Sequence, residues 1–164
     1  MKNLLLLRHA KSSWKDSDIE DHERPLNKRG KKDAPKMGRL LREEKLLPDL
    51  IISSTAKRCR KTTEHVIHAS GYRGETRFFN DLYEATGDEL LSFLTRLSSE
   101  ARTLLLVGHN PGLEQLVESL VEAYQPLTTA ALIQIELPIA VWSELTPTSR
   151  GKLKQTWQPR SLPD

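Results

Sequence analysis

Two histidines stand where short apolar runs end, and each has neighbours suited to handling a phosphoryl group. Leu4-Leu5-Leu6-Leu7 leads into Arg8-His9-Ala10-Lys11, and Leu104-Leu105-Leu106-Val107 leads into Gly108-His109-Asn110-Pro111-Gly112. A neutral imidazole can attack phosphorus and carry the group as phosphohistidine, dividing one difficult displacement into two easier ones. The transferring group spreads negative charge over its oxygens, so positioned cations do much of the remaining work. Arg8 offers a planar fork that donates parallel hydrogen bonds to such oxygens. Arg58 offers a second, because Ser53-Ser54-Thr55-Ala56-Lys57-Arg58 leaves an apolar stretch and enters a helical pattern. Free N–H groups and the macrodipole at a helix start favour anions as well.

These side chains need a scaffold that brings strand ends together. Apolar runs alternate with segments of helical period, the pattern of an α/β domain, in which ligands bind beyond the carboxyl ends of the strands. Strands are predicted at Asn3 to Leu7, Asp49 to Ser53, Glu75 to Phe79, Thr103 to Val107 and Leu132 to Leu137. Val141 to Leu145 and Lys152 to Trp157 read as a closing hairpin turned through Pro147 and Gly151. Four helices are predicted: Lys28 to Leu46, with Pro35 forcing a late start or a kink; Lys57 to Ala69; Asp88 to Ser98; and one with Asn110 as N-cap and Pro111 in its first turn. Thr86 and Glu89 have capping-box spacing ahead of the third helix. Ser12 to Pro25 is polar and aperiodic, a loop expected over the site. The expected architecture is a three-layer αβα sandwich with a mostly parallel central sheet, one domain over residues 1–157 and a tail over 158–164.

Taken in order, these motifs resemble those of the histidine phosphatase superfamily, the phosphoglycerate-mutase-like fold. Arg8-His9-Ala10 is similar to its Arg-His-Gly motif. Arg24-Pro25-Leu26-Asn27-Lys28-Arg29-Gly30 is similar to its Leu-Thr-x-x-Gly helix start. Ser53 to Thr62 resembles the Ser-x-x-x-x-Arg-x-x-x-Thr block, and Gly108-His109 the second histidine motif. The short stretch between Phe79 and Thr103 leaves no room for a large lid. With the Arg8-to-Trp14 start, this compact form resembles the SixA-type phosphohistidine phosphatases, whose open site suits a protein-borne phosphohistidine. The resemblance implies His9 as nucleophile, with Arg8, Arg58 and His109 holding the phosphoryl oxygens. It places Glu84 where the mutase branch keeps a proton-donating acid, with Asp16, Asp18 and Asp21 as rivals. Ala10 stands where the family has glycine, a substitution that strains the chain if positive φ is needed there. Lys11 either adds charge to the pocket or faces solvent. The implied partner is a phosphorylated histidine-phosphotransfer or histidine kinase domain, or else a small phosphorylated metabolite. A small-molecule phosphomonoesterase and a non-catalytic phosphate-binding module are the competing functions.

Composition narrows the field. At 164 residues, with 37% hydrophobic and 29% charged residues, the chain is long and apolar enough for one folded domain. The net charge of +3 is mild and aromatic residues are only 5%, so with no recognition motif a nucleic-acid partner is not expected. No apolar stretch reaches the length of a membrane span, and the leucines ahead of Arg8 are too few for a signal peptide. The lone Cys59 fits a reducing cytoplasm and reads as a small core residue, since the Cys-x5-Arg phosphatase loop is missing. His65 and His68 have helical spacing but no third ligand, so no metal is expected. No nucleotide fingerprint is present, and no cofactor is expected.

Overall fold

Alternation along the first strand, β1 (Lys2–Arg8), divides its leucines between two cores. Leu4 and Leu6 join one apolar cluster and Leu5 and Leu7 the other, all fully buried. The computed structural model describes residues 1–164. Five strands follow: β2 (Leu50–Ser54), β3 (Glu75–Phe79), β4 (Thr103–Gly108), β5 (Leu132–Leu137) and β6 (Lys152–Trp157). They form one sheet of order β3-β2-β4-β1-β5-β6. The pairs β3–β2, β2–β4 and β4–β1 are parallel, and only β5 runs against its neighbours. Helices α1 (Lys28–Glu43) and α2 (Lys57–Ser70) cover one face through Met37, Leu41, Cys59 and Val66. Helices α3 (Gly87–Arg96) and α4 (Gly112–Val121) cover the other through Leu94, Leu113, Leu116 and Leu120. The result is the three-layer sandwich expected. Each fully buried leucine contributes about 2 kcal/mol of transfer free energy, so the central strands are the stable frame on which the site is hung.

Local signals set most helix starts. Asn27 caps α1, its side chain accepting from the Gly30 N–H at 2.9 Å. Thr86 and Glu89 form the capping box of α3. Helix α1 runs through Pro35, which forfeits one backbone bond while the apolar face around Ala34 and Met37 stays buried. Burial of that face outweighs the lost bond.

Three local expectations need correction. Trp142–Glu144 is a single 3-10 turn, so Val141 to Leu145 is not a strand. Trp142 is buried and its indole N–H donates to the Ala101 carbonyl at 2.9 Å, which anchors this segment beside the start of β4; β6 pairs with β5 instead. Asn110 does not cap α4, which begins at Gly112, and its amide donates to the Leu127 carbonyl at 2.8 Å. Residues 158–164, expected as a tail, turn back onto α1. Pro159 is buried, Leu162 packs on the α1-side core, and Asp164 pairs with Lys36 at 2.7 Å and Lys32 at 3.2 Å. No helix is long and apolar enough to cross a membrane.

Candidate active site

The parallel register of β1 and β4 sets Arg8 opposite Gly108. The residue that leaves each strand is therefore a histidine, and the two leave side by side. The His9 N–H donates to the Gly108 carbonyl at 3.1 Å, and the two imidazole centres lie 5.3 Å apart. Beyond this point β1 continues into α1 on one face and β4 into α4 on the other. That reversal opens a crevice at the strand ends, the usual ligand position in such sheets. A cavity of about 360 Å³ occupies it, lined by His9, His109, Arg8, Arg58, Arg24 and Glu84.

His9 is held in one orientation. Its Nδ1 lies 2.8 Å from the Ala10 carbonyl, an acceptor only, so Nδ1 carries the proton and Nε2 keeps its lone pair. Nε2 makes no hydrogen bond within the protein. Burial, reinforced by the nearby His109, Arg58 and Arg8 charges and opposed by the Ala10 carbonyl, pushes the His9 pKa down to about 3. His9 is thus a neutral, oriented nitrogen base at pH 7.

His109 is likewise buried and pushed down to about 4, by burial first and by the Arg58 charge second. Its Nε2 lies 2.8 Å from Ser54 Oγ, while its Nδ1 is buried without a protein partner. Ser54 Oγ also accepts the Ala56 N–H at 3.2 Å, and Cys59 Sγ lies 3.4 Å from the same His109 Nε2. A proton donated by Ser54 to Nε2 would set the His109 proton on Nδ1.

The arginines are positioned from behind. Arg8 Nη1 donates to the Leu127 carbonyl at 3.0 Å. Arg58 donates through Nη1 to the Asp21 carbonyl at 2.8 Å and through Nη2 to the Asp21 carboxylate at 3.0 Å. Nε of both arginines is buried and unpaired inside the protein. Thr62 couples the halves of the site: its hydroxyl accepts the Ala10 N–H at 2.9 Å and donates to the Arg58 carbonyl at 2.7 Å.

The loop Ser12 to Pro25 does lie over the site, and it contributes groups not assigned from sequence. Arg24 lines the cavity, donating to Ser12 Oγ at 2.7 Å and Asp21 Oδ1 at 3.0 Å. Tyr83 donates to Asp21 Oδ2 at 2.6 Å. Burial draws the Asp21 pKa upward, but the bonds from Tyr83, Arg24 and Arg58 outweigh it and hold the carboxyl well below the ordinary range. A carboxylate so firmly ionised positions arginines and is poorly suited to donating a proton. Asp16 and Asp18 are exposed and stand outside the cavity. Of the four acids considered, Glu84 alone meets it, carried there by a left-handed backbone turn at φ 55°. The φ at Ala10 is not positive, so its methyl group causes no strain. Cys59 is fully buried with its thiol pushed up to about 12 by burial, a core residue. Lys11 is exposed yet lines the cavity wall. The Asp21–Arg24–Arg58 cluster joins two segments distant in the chain, and the Arg24-Pro25 start of one motif is the sequence signal that bears on it.

A family model described as the histidine phosphatase superfamily (branch 1) matches residues 4–90. An uncharacterized chloroplastic protein of Arabidopsis thaliana is 35% identical over 144 residues, covering 81% of this chain. The chain spans 66% of that relative's length, just under two thirds. Among solved structures, a proposed SixA phosphohistidine phosphatase from Agrobacterium tumefaciens is 28% identical with a TM-score of 0.81, covering 96% of this chain and 98% of that one. Another, from Nakamurella multipartitia, is 25% identical with a TM-score of 0.83, covering 96% of both chains. The chain belongs to the histidine phosphatase superfamily, branch 1, and its structure is similar to those of SixA-type members.

Proposed function

We propose that this protein is a phosphatase that acts through a phosphohistidine formed on His9, without a metal or cofactor, and that its substrate is phosphohistidine borne by another protein. The observation that carries the reading is the state of His9: neutral, with Nδ1–H fixed by the Ala10 carbonyl and Nε2 free at the cavity. In the first step Nε2 attacks phosphorus, the new N–P bond forms, and the bond to the leaving imidazole breaks as that imidazole takes a proton. In the second, water attacks the phosphorus of phospho-His9 while its proton passes to the Glu84 carboxylate, the N–P bond breaks with its electron pair returning to Nε2, and inorganic phosphate leaves. Arg8, Arg58 and His109 Nδ1–H bind the equatorial oxygens in both steps. A phosphoryl dianion beside His109 favours its cationic form, reversing the effect of burial and Arg58. Glu84 serves as proton donor in the first step from the cavity wall.

A protein substrate is supported by the shortness of the segment between β3 and β4, which folds into two short turns and α3 and inserts no further helix over the crevice. The partner would be a histidine-phosphotransfer or histidine kinase domain. A lone buried cysteine accords with a reducing compartment such as the cytoplasm. The test compares a phosphorylated histidine-phosphotransfer domain with sugar phosphates and nucleotides, using the wild type and His9→Ala. The expected result is preferential hydrolysis of the phosphoprotein, a loss of at least ~1,000-fold in His9→Ala, and phosphate binding retained. Faster turnover of small esters would assign the protein to metabolite hydrolysis, and no turnover by the wild type would leave a binding module.

A further inference from the structure

A second cavity, of about 450 Å³, adjoins the first, and Lys11 and Thr129 line both. Its remaining wall comes from the start of α1, with Asn27, Arg29 and Asp33, and from the C-terminal turn, with Gln158 and Arg160. No lining residue is hydrophobic. Asp33 is its one carboxylate, and that carboxylate is paired with Arg29 at 3.0 Å. Lys11 and Arg160 form no ion pair and no side-chain hydrogen bond, so two cations face the cavity uncompensated.

The charge pattern of α1 adds positive potential beside the cavity, with Arg29 the one of its cations that lines the wall. Its first turn holds no acid, whereas Lys28, Arg29, Lys31 and Lys32 crowd the end that already bears the positive pole of the helix dipole. Helix stability favours the opposite arrangement, acids first and bases last. The capped terminus is fixed beside the catalytic loop, since the Asn27 N–H donates to the Lys11 carbonyl at 3.0 Å. Gly30 allows that approach, because a Cβ there would lie 2.2 Å from the same carbonyl oxygen. Across the cavity, burial of Pro159 and the Asp164 pairs with Lys36 and Lys32 hold the turn that carries Arg160.

We propose that this cavity is an anion subsite of the same active site, taking a second carboxylate or phosphate group that the substrate carries near its scissile phosphoryl. The inference rests on the phosphatase reading and deepens it: preferred substrates carry two anionic groups, held respectively by the His9 cavity and by Lys11, Arg160 and the α1 terminus. Arg160 is exposed and bonded to nothing, so Arg160→Ala leaves the fold and the phosphoryl pocket intact.

The experiment measures kcat and KM for wild type and Arg160→Ala on four substrates. They are a phosphohistidine peptide with acidic flanks, the same peptide with neutral flanks, a bisphosphorylated sugar, and phenyl phosphate. The expected result is a rise of about tenfold in KM for the acidic peptide or the bisphosphate, with the neutral peptide and phenyl phosphate unchanged. Whether the acidic peptide or the bisphosphate responds tells whether the second anion is a protein carboxylate or a second phosphate. Equal effects on all four, or none, would overturn the subsite. Inorganic phosphate titration followed by NMR gives an answer independent of turnover. Wild type should bind phosphate at two places and Arg160→Ala at the His9 cavity alone; a single site in the wild type would overturn the inference. Failure of the wild type to hydrolyse any substrate counts against the phosphatase reading, and the titration then decides the subsite by itself.

Discussion

Ser54 Oγ lies 2.8 Å from His109 Nε2, where its hydroxyl can donate and so set the His109 proton on Nδ1, as the proposed mechanism requires. Ser54→Ala should therefore lower kcat/KM by about tenfold, which corresponds to about 1.4 kcal/mol of transition-state stabilisation. The loss should fall mainly on kcat, because the arginines still bind the ground state. Steady-state kinetics over a range of pH checks this. A purely structural role for Ser54 would lower thermal stability while leaving the kcat profile of the folded enzyme unmoved.

Stability should depend on pH through the two histidines. Their folded values, about 3 for His9 and about 4 for His109, lie below the ordinary value of ~6.5. Between those limits the unfolded chain binds more protons than the fold, so stability is full above about pH 6.5 and falls as pH falls through the window. At each step of one pH unit a fully coupled group accounts for up to about 1.4 kcal/mol. Asp21, held low by its donors, acts in the same direction below about pH 4. Calorimetric Tm between pH 7 and pH 4.5 should therefore drop steadily, and His9→Gln should flatten the curve. Equal slopes for the two proteins would contradict the burial of a neutral His9.

Glu84 is expected to matter in proportion to how poor the leaving group is. Glu84→Gln should reduce hydrolysis of an alkyl phosphomonoester by about 100-fold, the scale of general acid catalysis. Hydrolysis of phosphohistidine, whose imidazole departs more readily, should fall much less. Comparing kcat for the two substrates in wild type and variant checks the role. Equal losses would remove Glu84 as the proton donor.

Much of this arrangement is legible in the sequence because strand-end residues inherit their positions from the strands. Once the Leu4–Leu7 and Leu104–Val107 runs are parallel neighbours, His9 and His109 have to meet, and capping at Asn27 and Thr86 follows from local chemistry. The groups that hold the site are less visible, because their partners are distant in the chain. Asp21 binds Arg58 and Tyr83 across the crevice, and no periodicity in the loop announces either contact. The misread hairpin has a comparable origin. Val141-Trp142 has strand-like composition, yet the tertiary burial of one indole overrides it. Asn110 and Pro111 carry a strong local cap signal, but α4 starts at Gly112, the Asn110 NH2 donates to the Leu127 carbonyl, and its Oδ1 finds no protein donor.

Covalent chemistry at His9 is tested most directly by rapid quenching of the enzyme with radiolabelled substrate, followed by peptide mapping. Acid-labile, base-stable label should appear on the peptide containing His9 within the first turnover and be absent from His9→Ala. Label confined to His109, or full-rate turnover with no label on the protein, would contradict the account.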